Sequence, residues 1–172
     1  TVDCVDRPVS NVYLFTGTAR LTDIQPASNG GYILAGATTG SGAGGEDGII
    51  IRASGTGTVL WTKAYGGTEN DHFTRVRHTA DNGYIAVGTT KSGRYPQGEM
   101  MIVKFSNSGA TEWARNIGFN TIYGETGYDI VQTSDGGFAA LGIYDQHTGN
   151  GEFMIARLDG NGTLNWVRRF GT

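Results

Sequence analysis

Cysteine is nearly missing. Cys4 stands alone among 172 residues, which excludes a disulfide within the chain and leaves a thiol able to pair only with another molecule. Charge is scarce as well, at 17%, with 13 basic and 16 acidic residues interspersed. That balance excludes a dedicated nucleic-acid groove and a basic membrane-surface anchor. No apolar run approaches the roughly 20 residues that cross a bilayer as a helix, and no secretory leader is visible. No window carries the three-to-four-residue apolar spacing of a long amphipathic helix. The signatures of phosphate loops, zinc proteases, cysteine-ligated metals and nucleophile-elbow hydrolases are all missing. The expectation is a non-enzymatic chain with no catalytic residue, no metal and no cofactor.

Glycine is what the chain has in abundance, 29 residues against 3 prolines. It recurs in a pattern. Asn29-Gly30-Gly31-Tyr32, Asp81-Asn82-Gly83-Tyr84 and Asp135-Gly136-Gly137-Phe138 each lead into a short apolar strand ending on Gly36, Gly88 or Gly142. Tyr32, Tyr84 and Phe138 are 52 and 54 residues apart. Trp61, Trp113 and Trp166 are 52 and 53 apart, as are Arg52, Lys104 and Arg157. A period near 53 that holds across unrelated residue types is an internal repeat.

Each repeat holds four strand candidates. The first begins at the Trp, over 61–65, 113–117 and 166–170. The second carries Leu21 and Ile24, Phe73 and Val76, or Tyr128 and Ile130. The third follows the glycine turn, and the fourth spans 49–52, 100–104 or 153–157. The third and fourth are apolar throughout, which predicts sheets covered on both faces. Gly and Ala in the third leave room for a neighbouring sheet to come close. The Asx-Gly turns supply the positive φ of tight hairpins. Gly57, Gly109 and Gly162, each four residues before a Trp, mark a second positive-φ position. The same spacing puts Val9 in a Trp slot, so 9–15 reads as one more first strand. The chain is thus predicted to be all-β. It has an arm at 1–8 and a single domain over 9–172, with repeats at about 9–60, 61–112 and 113–165 and a duplicated strand at 166–172.

The repeat reads Thr-x-Asp-Gly-Gly-Tyr, then an apolar strand ending Ala-Gly, then an acid, apolar residues and Lys, then Gly and Trp. The matching stretches are 79–88, 99–104 and 109–113, with counterparts in the other copies. These repeats resemble those of secreted bacterial and archaeal β-propeller-repeat proteins, over nearly everything from residue 9 on. The resemblance implies four-stranded antiparallel blades and a secreted or cell-surface location, and it implies no activity. Propellers close with roughly four to eight blades. Three repeats therefore imply part of a ring, or a ring completed by oligomerisation. A β-trefoil, also built from three four-stranded repeats, is the alternative architecture.

Binding or assembly is the expected role, with the chain itself or another surface protein as partner. One strand slot occurs at both ends, and an unpaired edge is a template for strand addition into a closed oligomer or a filament. The assembly candidates are Cys4, Val9, Val12, Leu14, Trp166, Val167 and Phe170. Loops that differ between copies carry Arg94, Tyr95, Tyr123, Tyr144 and His147. These are candidates for stacking on a glycan, in a lectin-like alternative. A fragment of a propeller hydrolase is a further alternative. Asn161-Gly162-Thr163 is a glycosylation sequon in an expected hairpin. Tyr32, Tyr84, Phe138, Trp61, Trp113 and Trp166 recur and are read as scaffold.

Three further features are read as structural. Asp47, Glu99 and Glu152 each precede Arg52, Lys104 or Arg157 by five residues. They are expected to mark strand starts, capping a turn or meeting a basic group of the next repeat. Gly40-Ser41-Gly42-Ala43-Gly44-Gly45 matches the dinucleotide fingerprint in letters, but a strand rather than a helix is expected after it. His72 and His78 are expected as solvated rim residues about 20 Å apart, too far for one metal.

Overall fold

The computed structural model describes residues 16–119, 123–144 and 152–171. They contain twelve strands and no helix. The first sheet consists of β1 (Ala19–Pro26), β2 (Tyr32–Thr38), β3 (Asp47–Ala53) and β4 (Val59–Tyr65). The second consists of β5 (Asp71–His78), β6 (Tyr84–Thr90), β7 (Glu99–Phe105) and β8 (Thr111–Ile117). The third consists of β9 (Glu125–Gln132), β10 (Phe138–Tyr144), β11 (Glu152–Leu158) and β12 (Leu164–Phe170). Every sheet is an open antiparallel meander in chain order. The all-β prediction of three four-stranded antiparallel units holds.

Sheets and sequence repeats are out of phase by one strand. The Trp strand is the last of each sheet, pairing Arg52 with Trp61, Lys104 with Trp113 and Arg157 with Trp166. Residues 166–170 therefore lie in β12 and complete the third sheet, rather than forming a surplus strand. The arm at 1–8 and the slot at 9–15, with Cys4, Val9, Val12 and Leu14, lie outside the described residues.

Turn chemistry follows the letters. Gly30, Asn82 and Gly136 occupy the left-handed position of the first hairpin at φ of 74, 64 and 83°. Gly57, Gly109 and Gly162 do so in the second at 83, 80 and 78°. Glycine adopts such angles without steric cost, and Asn is the side chain that tolerates them best.

The sheets stack through two apolar layers. Ile33, Ala35 and Ile50 of the first sheet meet Tyr84, Met101 and Phe105 of the second. Ile85, Val87 and Ile102, on the other side of the second, meet Phe138, Ala140 and Met154 of the third. The middle sheet thus has both faces covered, and every residue of β6 and β7 is buried. The expectation of full coverage fails in the outer sheets. In the third, β10 alternates buried and accessible residues, with Leu141 and Phe153 exposed. In the first, β3 is buried but Leu21, Ile24 and Tyr32 are exposed. The apolar letters are alike in all three sheets, but only the middle one has a neighbour on each side.

At one edge the sheets converge, with β5 against β1 and β9. Arg77 bridges all three there, its guanidinium 3.1 Å from Asp23 and 2.8 Å from Asp129. Each converging strand also carries a β-bulge. Leu21, Phe73 and Gly127 sit opposite Gly36, Gly88 and Gly142, and the next residue, Thr22, Thr74 or Tyr128, is the extra one. Tyr128 is therefore not the counterpart of Leu21 and Phe73, as its aromatic character suggests. It stands in the threonine slot. Thr22 Oγ1 donates to Phe73 O at 2.8 Å and Thr74 Oγ1 to Gly127 O, pinning each sheet to the next. A Cβ on Gly36 or Gly88 would come 1.9 Å from Arg20 O or His72 O, backbone atoms of the same sheet. The bulge, not a neighbouring sheet, requires glycine there. At Gly142 a neighbouring sheet does press, since a Cβ would lie 2.3 Å from the Met100 methyl.

Candidate functional site

Acids recur at one rim of the stack. Asp47, Glu99 and Glu152 are the first residues of β3, β7 and β11, as expected of strand-start markers. Asp71 and Glu125 start β5 and β9, the first strands of the next sheets. A Cβ on Gly66 would lie 2.3 Å from Asp47 Oδ1 and 2.6 Å from Asp71 Oδ2, so both carboxylates look into one small space. Burial pushes the Asp47 carboxyl above its ordinary range and Asp71 adds to this, against the amides of Ala43 and Gly44. Glu125 is raised in the same way by burial, with Glu99 adding and the Phe119 amide opposing. Asp47 Oδ1 and Glu125 Oε2 are buried with no hydrogen-bond partner among the described residues. Asp71 is better served. It accepts from the amides of Gly67, Lys91 and Ser92 and from the Ser92 hydroxyl.

The capping role expected of these acids is present, because Glu99 Oε2 accepts the Arg94 amide at 2.7 Å. Among the described residues the expected basic partner in the next repeat is present for Glu152, which meets Arg169, just past Trp166, at 3.4 Å. The neighbours of Asp47 and Glu99 there are acids instead. The Gly40–Gly45 loop wraps Asp47, since a Cβ on Gly42 would fall 2.0 Å from Asp47 Oδ2. It leads into β3 and not into a helix.

The variable loops do gather aromatic residues beside Glu99 and Glu125. Tyr95 lies over Gly118, where a Cβ would be 2.7 Å from its ring, and Arg94 sits 5.6 Å above that ring. Tyr144 meets Phe119 edge-on at 6.0 Å and Tyr123 at 6.2 Å. The Arg169 guanidinium stands 5.0 Å from Tyr144 and 5.5 Å from Phe119. Tyr144 is only 5% exposed, so it supports the cluster and is not open to a sugar. Tyr95 and Tyr123 are half-buried and Arg94 is exposed. His147 lies outside the described residues. Phe119 and Arg169 escaped the sequence reading because neither belongs to a loop that differs conspicuously between copies.

The remaining candidates separate by burial. Val167 is half-buried and packs against the second apolar layer. Trp166 and Phe170 are exposed. Asn161 is exposed in the β11–β12 turn, its amide donating to Asp159 Oδ1 at 2.9 Å. Neither His72 nor His78 is fully solvated. His78 packs edge-on against Tyr84 at 6.0 Å. Burial, with Arg20 nearby, holds His72 below the ordinary histidine range.

Two sheet faces are open and concave. Beside β9 and β10 a shallow concavity of about 320 Å³ is lined by Val131, Ala139, Leu141 and Ile155. Beside β1 and β2 a second, of about 330 Å³, is lined by Leu21, Thr22, Ile24 and Leu34. Both are dominated by side chains whose counterparts in the middle sheet are buried between sheets. No protein-family model and no curated protein matches this chain.

Proposed function

We propose that this chain is a non-enzymatic association module, three blades of a propeller-type assembly that binds through its two outermost sheet faces. One observation carries the reading. The first and third sheets each leave an apolar face open, with Leu21 and Ile24 on one and Leu141 and Phe153 on the other. Clustered exposed apolar side chains of this kind mark contact surfaces. Blades are favoured over a trefoil because each sheet comes from one contiguous stretch and meets the next face to face. Faces are favoured over edges for a simple reason. β12 lies at the outer edge of its sheet, but so do β4 and β8 in theirs, so no edge is singled out. A location outside the cell or at its surface rests on the resemblance of the repeats.

Hydroxyl-radical footprinting of the protein as isolated from the cells that make it tests this reading. Leu21, Ile24, Leu141 and Phe153 are expected to be protected relative to the isolated chain. Oxidation at the isolated-chain rate on both faces sinks the reading.

Glycan binding is a second reading, supported by Arg94 over Tyr95 and by half-buried Tyr123 on the same rim. A glycan array with no signal that depends on Tyr95 removes it.

A further inference from the structure

Both sheet boundaries use one contact. At the first, Trp61 meets Tyr84 edge-on at 6.1 Å and lies against Gly109, where a Cβ would be 3.0 Å from its ring. At the second, Trp113 meets Phe138 at 5.7 Å and lies against Gly162, where a Cβ would be 2.7 Å away. The base two residues beyond the Trp joins in, since Arg115 Nε donates to Gly162 O at 2.7 Å and the Lys63 side chain borders Gly109. Arg52 of β3 adds a bond at the first boundary, its Nε donating to the Tyr84 hydroxyl at 3.1 Å. Each boundary therefore has a donor side, the Trp plus the base two residues on, and an acceptor side, an aromatic ring plus a turn glycine, with Arg52 a further base at the first.

Each half occurs once more, without its counterpart among the described residues. Trp166, with Arg168 stacked on it at 5.6 Å, is the third donor and is 39% exposed. Tyr32 is the third acceptor ring and is 43% exposed. Gly57 is the third turn glycine, and nothing among the described residues comes within 4 Å of where its Cβ would be. Donor and acceptor lie on opposite outer faces of the stack, so no bending within one chain joins them.

We infer that the partner of these faces is a second copy of this chain, bound head to tail, with Trp166 of one copy set against Tyr32 and Gly57 of the other. The inference rests on the reading that the chain associates through its sheet faces, and it names the occupant. The contact continues the two internal boundaries. Arg168 then reaches Gly57 O as Arg115 reaches Gly162 O, and Arg157 reaches the Tyr32 hydroxyl as Arg52 reaches that of Tyr84. Such a contact is heterologous, and two copies close it into a ring of six sheets, within the range that propellers adopt.

Sedimentation of the wild type, of Trp166→Ala, of Tyr32→Ala and of an equimolar mixture of the two variants tests the inference. The wild type is expected to sediment as a pair. Each variant alone weakens the pair about 30-fold or more, as loss of a central aromatic anchor does. The mixture associates more tightly than either variant alone, because Tyr32→Ala chains keep Trp166 and Trp166→Ala chains keep Tyr32, which restores one of the ring's two contacts. Arg168→Glu, at an exposed position, weakens the pair in the same direction and guards against a variant that simply unfolds. A wild-type pair indifferent to Trp166→Ala, or a mixture no stronger than its components, overturns the head-to-tail contact while leaving face-mediated association standing. A wild type that stays monomeric at high concentration overturns the second copy as occupant. Footprinting of the native protein then decides separately whether the faces are covered at all.

Discussion

Lys104 Nζ lies 2.7 Å from Asp81 Oδ2, and the lysine side chain is 3% exposed. The two residues are the base and the acid of the repeat motif. Asp81 also accepts from the Thr79 hydroxyl at 2.5 Å and from the Gly83 amide at 3.0 Å. In the third sheet Asp135 is held in the same way by Thr133, Gly137 and Arg157. In the first, Asn29 replaces the acid and Arg52 reaches the Gly30 carbonyl instead, at 2.6 Å. The recurrent letters thus describe a lock between a turn and the strand two places along. They also explain the turn's last glycine. A Cβ on Gly83 would come 2.5 Å from both Lys104 Nζ and Phe105 O.

Lys104→Ala is expected to cost about 1–2 kcal/mol in urea unfolding. The loss is limited because Asp81 and Glu112, its two carboxylate partners, are half exposed and can be hydrated. Gly83→Ala is expected to cost more, about 2–3 kcal/mol, because Phe105 O is backbone and cannot move aside. The order is the informative part. If Gly83→Ala becomes harmless in a Lys104→Ala background, the lysine alone explains the glycine.

Asp81 titrates at about 2. Burial alone would raise it, and the bonds from Lys104, Thr79 and the Gly83 amide outweigh that effect. A carboxyl lowered by folding contributes stability above its unfolded value, near about 3.9, and loses it as pH falls through the folded value. Solvent exposure screens the pair, so the contribution is no more than about 1 kcal/mol. Melting of wild type and Asp81→Asn between pH 5 and 2 should converge at the acid end, with the wild type ahead only above it. A constant gap across that range speaks against the lock as its source.

The rim acids have the opposite sign. Burial and an acidic neighbour raise Asp47 and Glu125. A carboxyl raised by folding contributes stability below its unfolded value and loses it as pH rises through the folded one. Wild type should therefore lose stability from about pH 4 toward neutrality through these two groups. Asp47→Asn and Glu125→Gln, which stay neutral, should gain on the wild type as pH rises from acid to pH 8. Thermal melts at the two ends of that range measure the difference. Variants that fall behind the wild type at pH 8 would mean that the ionised form is the one the fold favours.

Much of this was legible in the sequence. Period, strand positions and positive-φ turns were all written in recurring Gly, Asx, Trp and Tyr. The phase of the sheets was not, because a period marks which residues are equivalent and says nothing of which strands pair. The bulge was hidden because Tyr128 looks like the aromatic counterpart of Phe73, whereas the register gives that place to Gly127. Open faces were hidden for a related reason. Leu141 and Phe153 are as apolar as Val87 and Met100, their buried counterparts in the middle sheet, and only position in the stack separates them. Of the loop candidates, Tyr144 failed as a contact residue because Phe119 and Arg169, distant in sequence, close over it.

Arg77 offers a last test, of how the three sheets are joined. Its guanidinium reaches Asp129 at 2.8 Å and Asp23 at 3.1 Å, so distance alone favours Asp129. Environment reverses that order. The Asp23 side chain is 11% exposed and that of Asp129 40%, and screening falls as water is excluded. Asp23 Oδ2 also accepts the Val76 amide at 3.0 Å, which fixes the carboxylate in place. In double-mutant cycles with Arg77→Met, the coupling to Asp23→Ala should therefore reach about 1–2 kcal/mol, against about 0.5 kcal/mol for Asp129→Ala. The Asp129 coupling should also fade in high salt while the Asp23 coupling persists. Equal couplings, or a larger one at Asp129, would show that contact distance outweighs burial at this edge, and that the third sheet is held by Arg77 as firmly as the first.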